Sequence, residues 1–184
     1  GKCELITTEP YPNIHFEDGT EVPKKEEVKY LGCQLNDTTN ISLELRKRIA
    51  AARVVLNRLD MFWIHSGCPI KFKILVIDAI IKSKTLYGLE SAHLKETDLR
   101  KLEVFHLKAL RKVLKMKTTF VDRANTNKKV YEKANQKILE NTRRKKKTKL
   151  VIPFAEAYTL CKLKRLRSVI RNEGGLQSNV TFQR

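Results

Sequence analysis

From Ile70 to Leu86 the chain carries apolar residues around most of a helical wheel. Ile70, Ile74, Ile77 and Ile81 fall along one side, and Phe72, Leu75, Val76, Ala79 and Ile80 fill much of the rest. Such a helix needs neighbours on several sides, so the chain is expected to fold as a helical bundle around it. After the turn Leu86-Tyr87-Gly88-Leu89-Glu90, the stretch from about Lys95 to Lys115 is two-faced. Leu99, Leu102, His106, Ala109, Leu110 and Val113 share one side, and Lys101, Lys108, Lys112 and Lys115 share the other. This pattern predicts that the first helix is the buried centre and the second a charged outer wall.

Upstream, Ile41, Leu45, Ile49, Ala52, Leu56, Leu59 and Trp63 recur every three or four residues. They predict one helix to about Ile64, with Arg46, Lys47, Arg53 and Arg58 on its other sides. Gly67 and Pro69 then break it. Before Asn36 the pattern is strand-like at Cys3–Thr7, Ile14–Phe16 and Val28–Leu35, and Asp18-Gly19 predicts a hairpin turn, because Asp-Gly readily takes positive φ. Downstream, Val130, Ala134 and Ile138 mark a helix from about Asn127 to Leu139. A last helix starts near Pro153 and ends by Asn172, before Gly174-Gly175. The fold class is therefore mainly α: a small N-terminal antiparallel hairpin or sheet, then a helical bundle, then basic C-terminal helices. The expected division is 1–40, 41–118 as a three-helix bundle, and 119–184 as a basic extension.

With 184 residues the chain can bury a core of ordinary size. Its formal net charge of +18 is unevenly spread: residues 1–40 hold four Lys, no Arg and eight Asp or Glu, net −4, which leaves +22 for residues 41–184. That balance points to a polyanionic partner for the helical part. Cys3, Cys33, Cys68 and Cys161 are far apart in sequence and form no C-x-x-C pair, so neither a structural zinc site nor a disulfide scaffold is expected. No apolar run is long enough for a membrane span: Ile74–Ile81 is cut by Asp78 and flanked by Lys71, Lys73, Lys82 and Lys84. The chain starts at Gly1 without Met or a signal-like segment, and is expected to be a processed product or a piece of something longer.

Several short strings share the order of one family. Lys2-Cys3-Glu4-Leu5-Ile6, a hairpin, Val28-Lys29-Tyr30-Leu31-Gly32, Arg48-Ile49 with Ala52, Leu86-Tyr87-Gly88-Leu89-Glu90 and Leu110-Arg111 resemble reverse transcriptases of non-LTR retrotransposons. Asp122-Arg123, Asn125–Asn127 and Val130 look like the segment beyond the thumb of that family. Leu166–Arg171 is similar to a more distal Leu-Gly-His-x-x-Arg string, with Ser168 and Val169 in place of its Gly and His. The resemblance implies the end of a palm followed by a helical thumb, with the Tyr-Leu-Gly string in the primer-grip region. The family's metal-binding aspartates lie in palm motifs that would precede Gly1, and acidic residues such as Glu4, Asp37 and Asp78 stand singly here. The chain as given is therefore expected not to polymerise, with no metal or cofactor, because phosphoryl transfer of that kind needs carboxylates clustered on two ions. Lys2 matches a palm lysine that would have nothing to assist without them.

The expected function is RNA binding by a thumb-derived, retrotransposon-derived module without catalysis, a structural component of a larger ribonucleoprotein. Structured, rRNA-like RNA and neighbouring proteins are the expected partners, and no membrane. An organellar ribosome, mitochondrial rather than nuclear, suits a small basic chain of this kind. The expected phosphate-binding residues are Arg46 and Arg53, then Lys101, Lys108, Lys112 and Lys115, then Arg143, Arg144, Lys145, Lys146 and Lys147, and finally Lys164, Arg167 and Arg171. A charged helix face is often only solvated, and His106, inside an apolar stripe, reads as a core histidine. Trp63 and Tyr87 are expected to pack rather than stack on bases. The alternative readings are the template- and primer-holding C-terminal part of an active reverse transcriptase whose palm lies upstream or on another chain, and a protein-interaction subunit with an acidic partner.

Overall fold

The computed structural model describes residues 3–7, 13–30, 33–36, 41–87, 89, 92–140 and 148–171. Among them are two strands, β1 (Glu27–Tyr30) and β2 (Cys33–Asn36), and six helices: α1 (Ile41–Arg58), α2 (Asp60–His65), α3 (Ile70–Leu86), α4 (Glu96–Leu114), α5 (Asn127–Glu140) and α6 (Phe154–Arg171). The protein is mainly helical, as expected, with a small antiparallel β element towards its N-terminal end. It divides into two compact units, Gly1–Lys47 and Arg48–Arg184.

In the first unit the Asp18-Gly19 turn forms: Gly19 has φ +82°, a left-handed value that a side chain would resist, and Thr20 N–H donates to Asp18 Oδ1 at 2.9 Å. The segments on either side make single bridges, His15 with Glu21 and Leu5 with Lys24, rather than full strands. Pro23 explains part of this, since its carbonyl accepts from Leu5 N–H at 3.0 Å but it has no N–H to continue a ladder. The stretch read as one strand from Val28 to Leu35 is instead folded back on itself, with Glu27 opposite Asn36 and Tyr30 opposite Cys33.

In the second unit the helix predicted to reach Ile64 is interrupted at Leu59, and the Trp63 indole donates at 2.9 Å to the carbonyl of Leu56, where the regular ladder is lost. Lys73, although buried, donates to the carbonyls of Trp63 at 2.8 Å and Ser66 at 3.0 Å. It places a cation at the carbonyl end of α2, where the helix dipole favours one. The expected centre is also corrected. α4 packs against α3, α5 and α6, whereas α3 packs against α4 and α5. Ile74, Ile77 and Ile81 of α3 are buried, but Ile70 and Phe72 are exposed. α4 buries Leu102, Phe105, Leu107, Leu110, Val113 and Leu114, a wider arc than the predicted stripe, because it has neighbours on more sides.

Polar groups bind this core together as well. Glu103 of α4 accepts the hydroxyl of Tyr131 (α5) on Oε1 and the N–H of Phe154 on Oε2, each at 2.7 Å. Phe154 is the first residue of α6, so the carboxylate satisfies a helix-terminal N–H that has no partner within its own helix. Nearby, Asn135 grips the backbone of Val151 from both sides, at 2.9 and 3.0 Å. Glu103→Ala is expected to lower stability by about 2 kcal/mol, because it strands a helix-terminal donor and a buried hydroxyl together. The shift in urea midpoint measures it; a loss below about 0.5 kcal/mol would show that water replaces the carboxylate.

Candidate nucleic-acid interface

The cations singled out in the sequence fall into distinct environments. Arg46 is exposed on α1 within the first unit. In the second unit Arg53, also on α1, and Lys108 of α4 are exposed and share the rim of one cavity of about 220 Å³ with Lys112. Leu56, Trp63, Ile77, Phe105, Ala109 and Val113 supply its apolar lining. Lys108 and Lys112 meet there because four residues separate them on one helix face.

Not all of these charges are equally available. Lys112 is ion-paired with Asp60 of α2, and Lys101 with the buried carboxylate of Asp98 at 2.9 Å. Arg53 and Lys108 have no carboxylate partner among the described residues. Lys115 ends α4 with φ 52° and ψ 40°, so it leaves the predicted row and projects from a left-handed cap. Lys164 lines a second cavity, of about 370 Å³, with Lys82, Lys149 and Tyr87, while Arg167 and Arg171 are exposed further along α6. Arg143, Arg144, Lys145, Lys146 and Lys147 lie outside the described residues. Trp63 is buried as expected, but Tyr87 is 63% exposed, because it follows the last residue of α3 and leaves the packed helix.

Sequence reasoning missed a chain of buried polar side chains that crosses three helices. Asp78 of α3 is matched by Lys82, 2.7 Å from Oδ1, and its Oδ1 lies 3.5 Å from His106 Nε2. On the other side His106 Nδ1 is 3.0 Å from the Tyr131 hydroxyl, whose one proton goes to Glu103. The tyrosine oxygen must then accept, which puts the His106 proton on Nδ1. Burial, and then the hydrogen bond to Glu103, keep the Tyr131 hydroxyl protonated far above its ordinary range. The signal in the sequence was Asp78 itself, a carboxylate inside an otherwise apolar helix with Lys82 one turn on. The array is closed to solvent at His106 and Asp78, which suits a structural role.

Among the described residues no set of three His, Cys, Asp or Glu side chains is placed to hold a metal ion, and no helix is long and apolar enough to cross a membrane. No family model, curated protein or solved structure matches the chain.

Burial, with Lys82 second, pushes His106 from 6.5 down to about 3. Asp78 does not offset this, being already matched by Lys82. Since the folded value is the lower one, the unfolded chain takes up the proton first as pH falls. The stability tied to neutral His106 is complete above pH 6.5 and is lost as pH falls from there towards about 3. The slope approaches about 1.4 kcal/mol per pH unit. Urea melts between about pH 7 and about pH 5 should show this decline, and His106→Gln should flatten it. An equal decline in both proteins would assign it to another group.

Proposed function

We propose that this chain is a non-catalytic RNA-binding module that presents Lys and Arg from several helices to the phosphates of a structured RNA. The observation that carries the reading is the pairing of Arg53 and Lys108 at one rim: two exposed cations on different helices, without carboxylate partners among the described residues. The +22 of residues 41–184 supports it, since neutralising phosphates releases counterions and yields affinity whatever the sequence. Helices hold these groups at fixed spacing, which matches reading by shape and backbone rather than by base edges. Three carboxylates of the helical core are engaged within the protein: Asp78 by Lys82, Asp98 by Lys101, and Glu103 by Tyr131 and Phe154.

A module of this kind serves inside a larger ribonucleoprotein, and an organellar ribosome suits its size and charge. The resemblance to a reverse-transcriptase thumb agrees, because a thumb is a helical holder of nucleic acid. RNA and proteins that copurify with the native chain test this assignment directly.

Affinity for a structured RNA is expected to fall steeply with salt, and the slope of log K against log salt should lessen by about one for each phosphate contact removed. Arg53→Glu with Lys108→Glu should weaken binding by about tenfold or more and leave the melting curve unchanged. Lys112 is the poorer choice, because reversing it also breaks its pair with Asp60. Unchanged affinity in the folded double variant would move the contact elsewhere, first to Arg143–Lys147. Absence of RNA binding at low salt would sink the reading.

A further inference from the structure

The cavity between α1, α2, α3 and α4 joins the two cations of the RNA-binding reading to a lining that this reading does not by itself require. Its lining is apolar and aromatic, through Trp63, Phe105 and Ile77, while Arg53 and Lys108 stand at its rim. Asn57, also lining it, brings a side-chain amide with both donors and an acceptor. A purely aliphatic occupant would leave the cations and the amide without use, and an inorganic anion would leave the aromatic lining without use. An occupant that matches all three is a planar heterocycle carrying hydrogen-bonding edges, with a phosphate one sugar away.

The volume narrows the choice further. At about 220 Å³ the cavity falls below the roughly 300–1,000 Å³ of pockets that enclose drug-sized ligands. It has room for one ring system, with sugar and phosphate left at the mouth. We propose that it receives a single unpaired nucleobase of the bound RNA, whose adjacent phosphate is held by Arg53 and Lys108. The proposal rests on the RNA-binding reading and adds a local structure to the target: a bulge or loop. An unpaired base enters at least cost, because no pairing has to be broken first.

Trp63 is the only tryptophan of the chain and lines the cavity, so its fluorescence reports occupancy without a label. The full chain is titrated with a fully paired RNA duplex, the same duplex with one bulged adenosine, and free adenosine monophosphate. The bulged duplex is expected to bind about tenfold tighter than the paired one and to change the Trp63 emission. Asn57→Phe, which plugs the mouth from an exposed helix position, should abolish that preference and leave binding of the paired duplex intact. Ala109→Leu fills the cavity from the opposite helix and should do the same; melting curves confirm that each variant is folded.

Equal binding of the two duplexes with unchanged Trp63 emission would overturn the proposal and leave the RNA-binding reading standing. Loss of binding to both duplexes would count against that reading as well. A Trp63 response to adenosine monophosphate without any preference for the bulge would make the cavity a mononucleotide site and overturn its assignment to RNA.

Discussion

The carboxylate of Glu103 fixes how the helices of the second unit meet. One oxygen holds Tyr131 of α5 and the other the first N–H of α6, while three residues further along α4 His106 touches both Tyr131 and Asp78 of α3. Apolar contacts alone tolerate small rotations of one helix on another, because they have little directional preference. A buried polar group does not, since a lost partner costs its full desolvation. α5 and α6 are thereby set in register on α4, and every exposed side chain on them inherits that register. The same interior accounts for the lowered proton affinity of His106: the space that gives Tyr131 and Glu103 a dry setting also denies the imidazole a hydrated charge.

Because α4 is so fully engaged, its remaining outer strip is narrow, and the charges on it are rigidly placed. Lys108 stands beside Phe105 and Ala109, which line the same cavity, so a cation and an apolar surface are neighbours by construction. A flexible basic tail would offer the same charge but would have to be ordered on binding. Two of the four lysines predicted to form the face are held by carboxylates, Lys101 by Asp98 and Lys112 by Asp60. Both pairs compete with phosphate for the same ammonium groups, and the exposed Lys112–Asp60 pair adds little to stability. They concentrate the available charge at Arg53 and Lys108.

Periodicity made the helices legible. α3, α4, α5 and α6 begin and end within a residue or two of where apolar spacing and the Gly and Pro signals put them. Periodicity says how much of a helix is apolar, however, and not how many neighbours it has, so the pattern puts α3 at the centre while Phe72 and Ile70 are exposed. The same limit hid the break at Leu59, which depends on an indole finding the Leu56 carbonyl rather than on any helix-breaking residue. Individual cations were readable, but their availability was not. Asp60 and Lys112 are far apart in sequence, and only folding brings them together. The cavity was beyond reach for the same reason, since Arg53, Trp63 and Phe105 come from three separate helices.

Within the second unit, two of the strings that resemble reverse transcriptases meet in space. Arg48 is buried and donates to the carbonyl of Tyr87, which joins the Arg-Ile string to the Leu-Tyr-Gly string. Leu86 and Leu89 of the latter are core residues, and so is Leu110. Its neighbour Arg111 donates to the carbonyl of Asn125 at 3.2 Å and to the Asn127 side chain at 2.9 Å. Asn125 in turn donates to the carbonyl of Lys117 at 3.1 Å, closing the loop that leads into α5. Each of these contacts shapes the helical unit, and none faces a reacting group. What the helical unit exposes is the cationic rim of Arg53 and Lys108, with an apolar cavity beneath it.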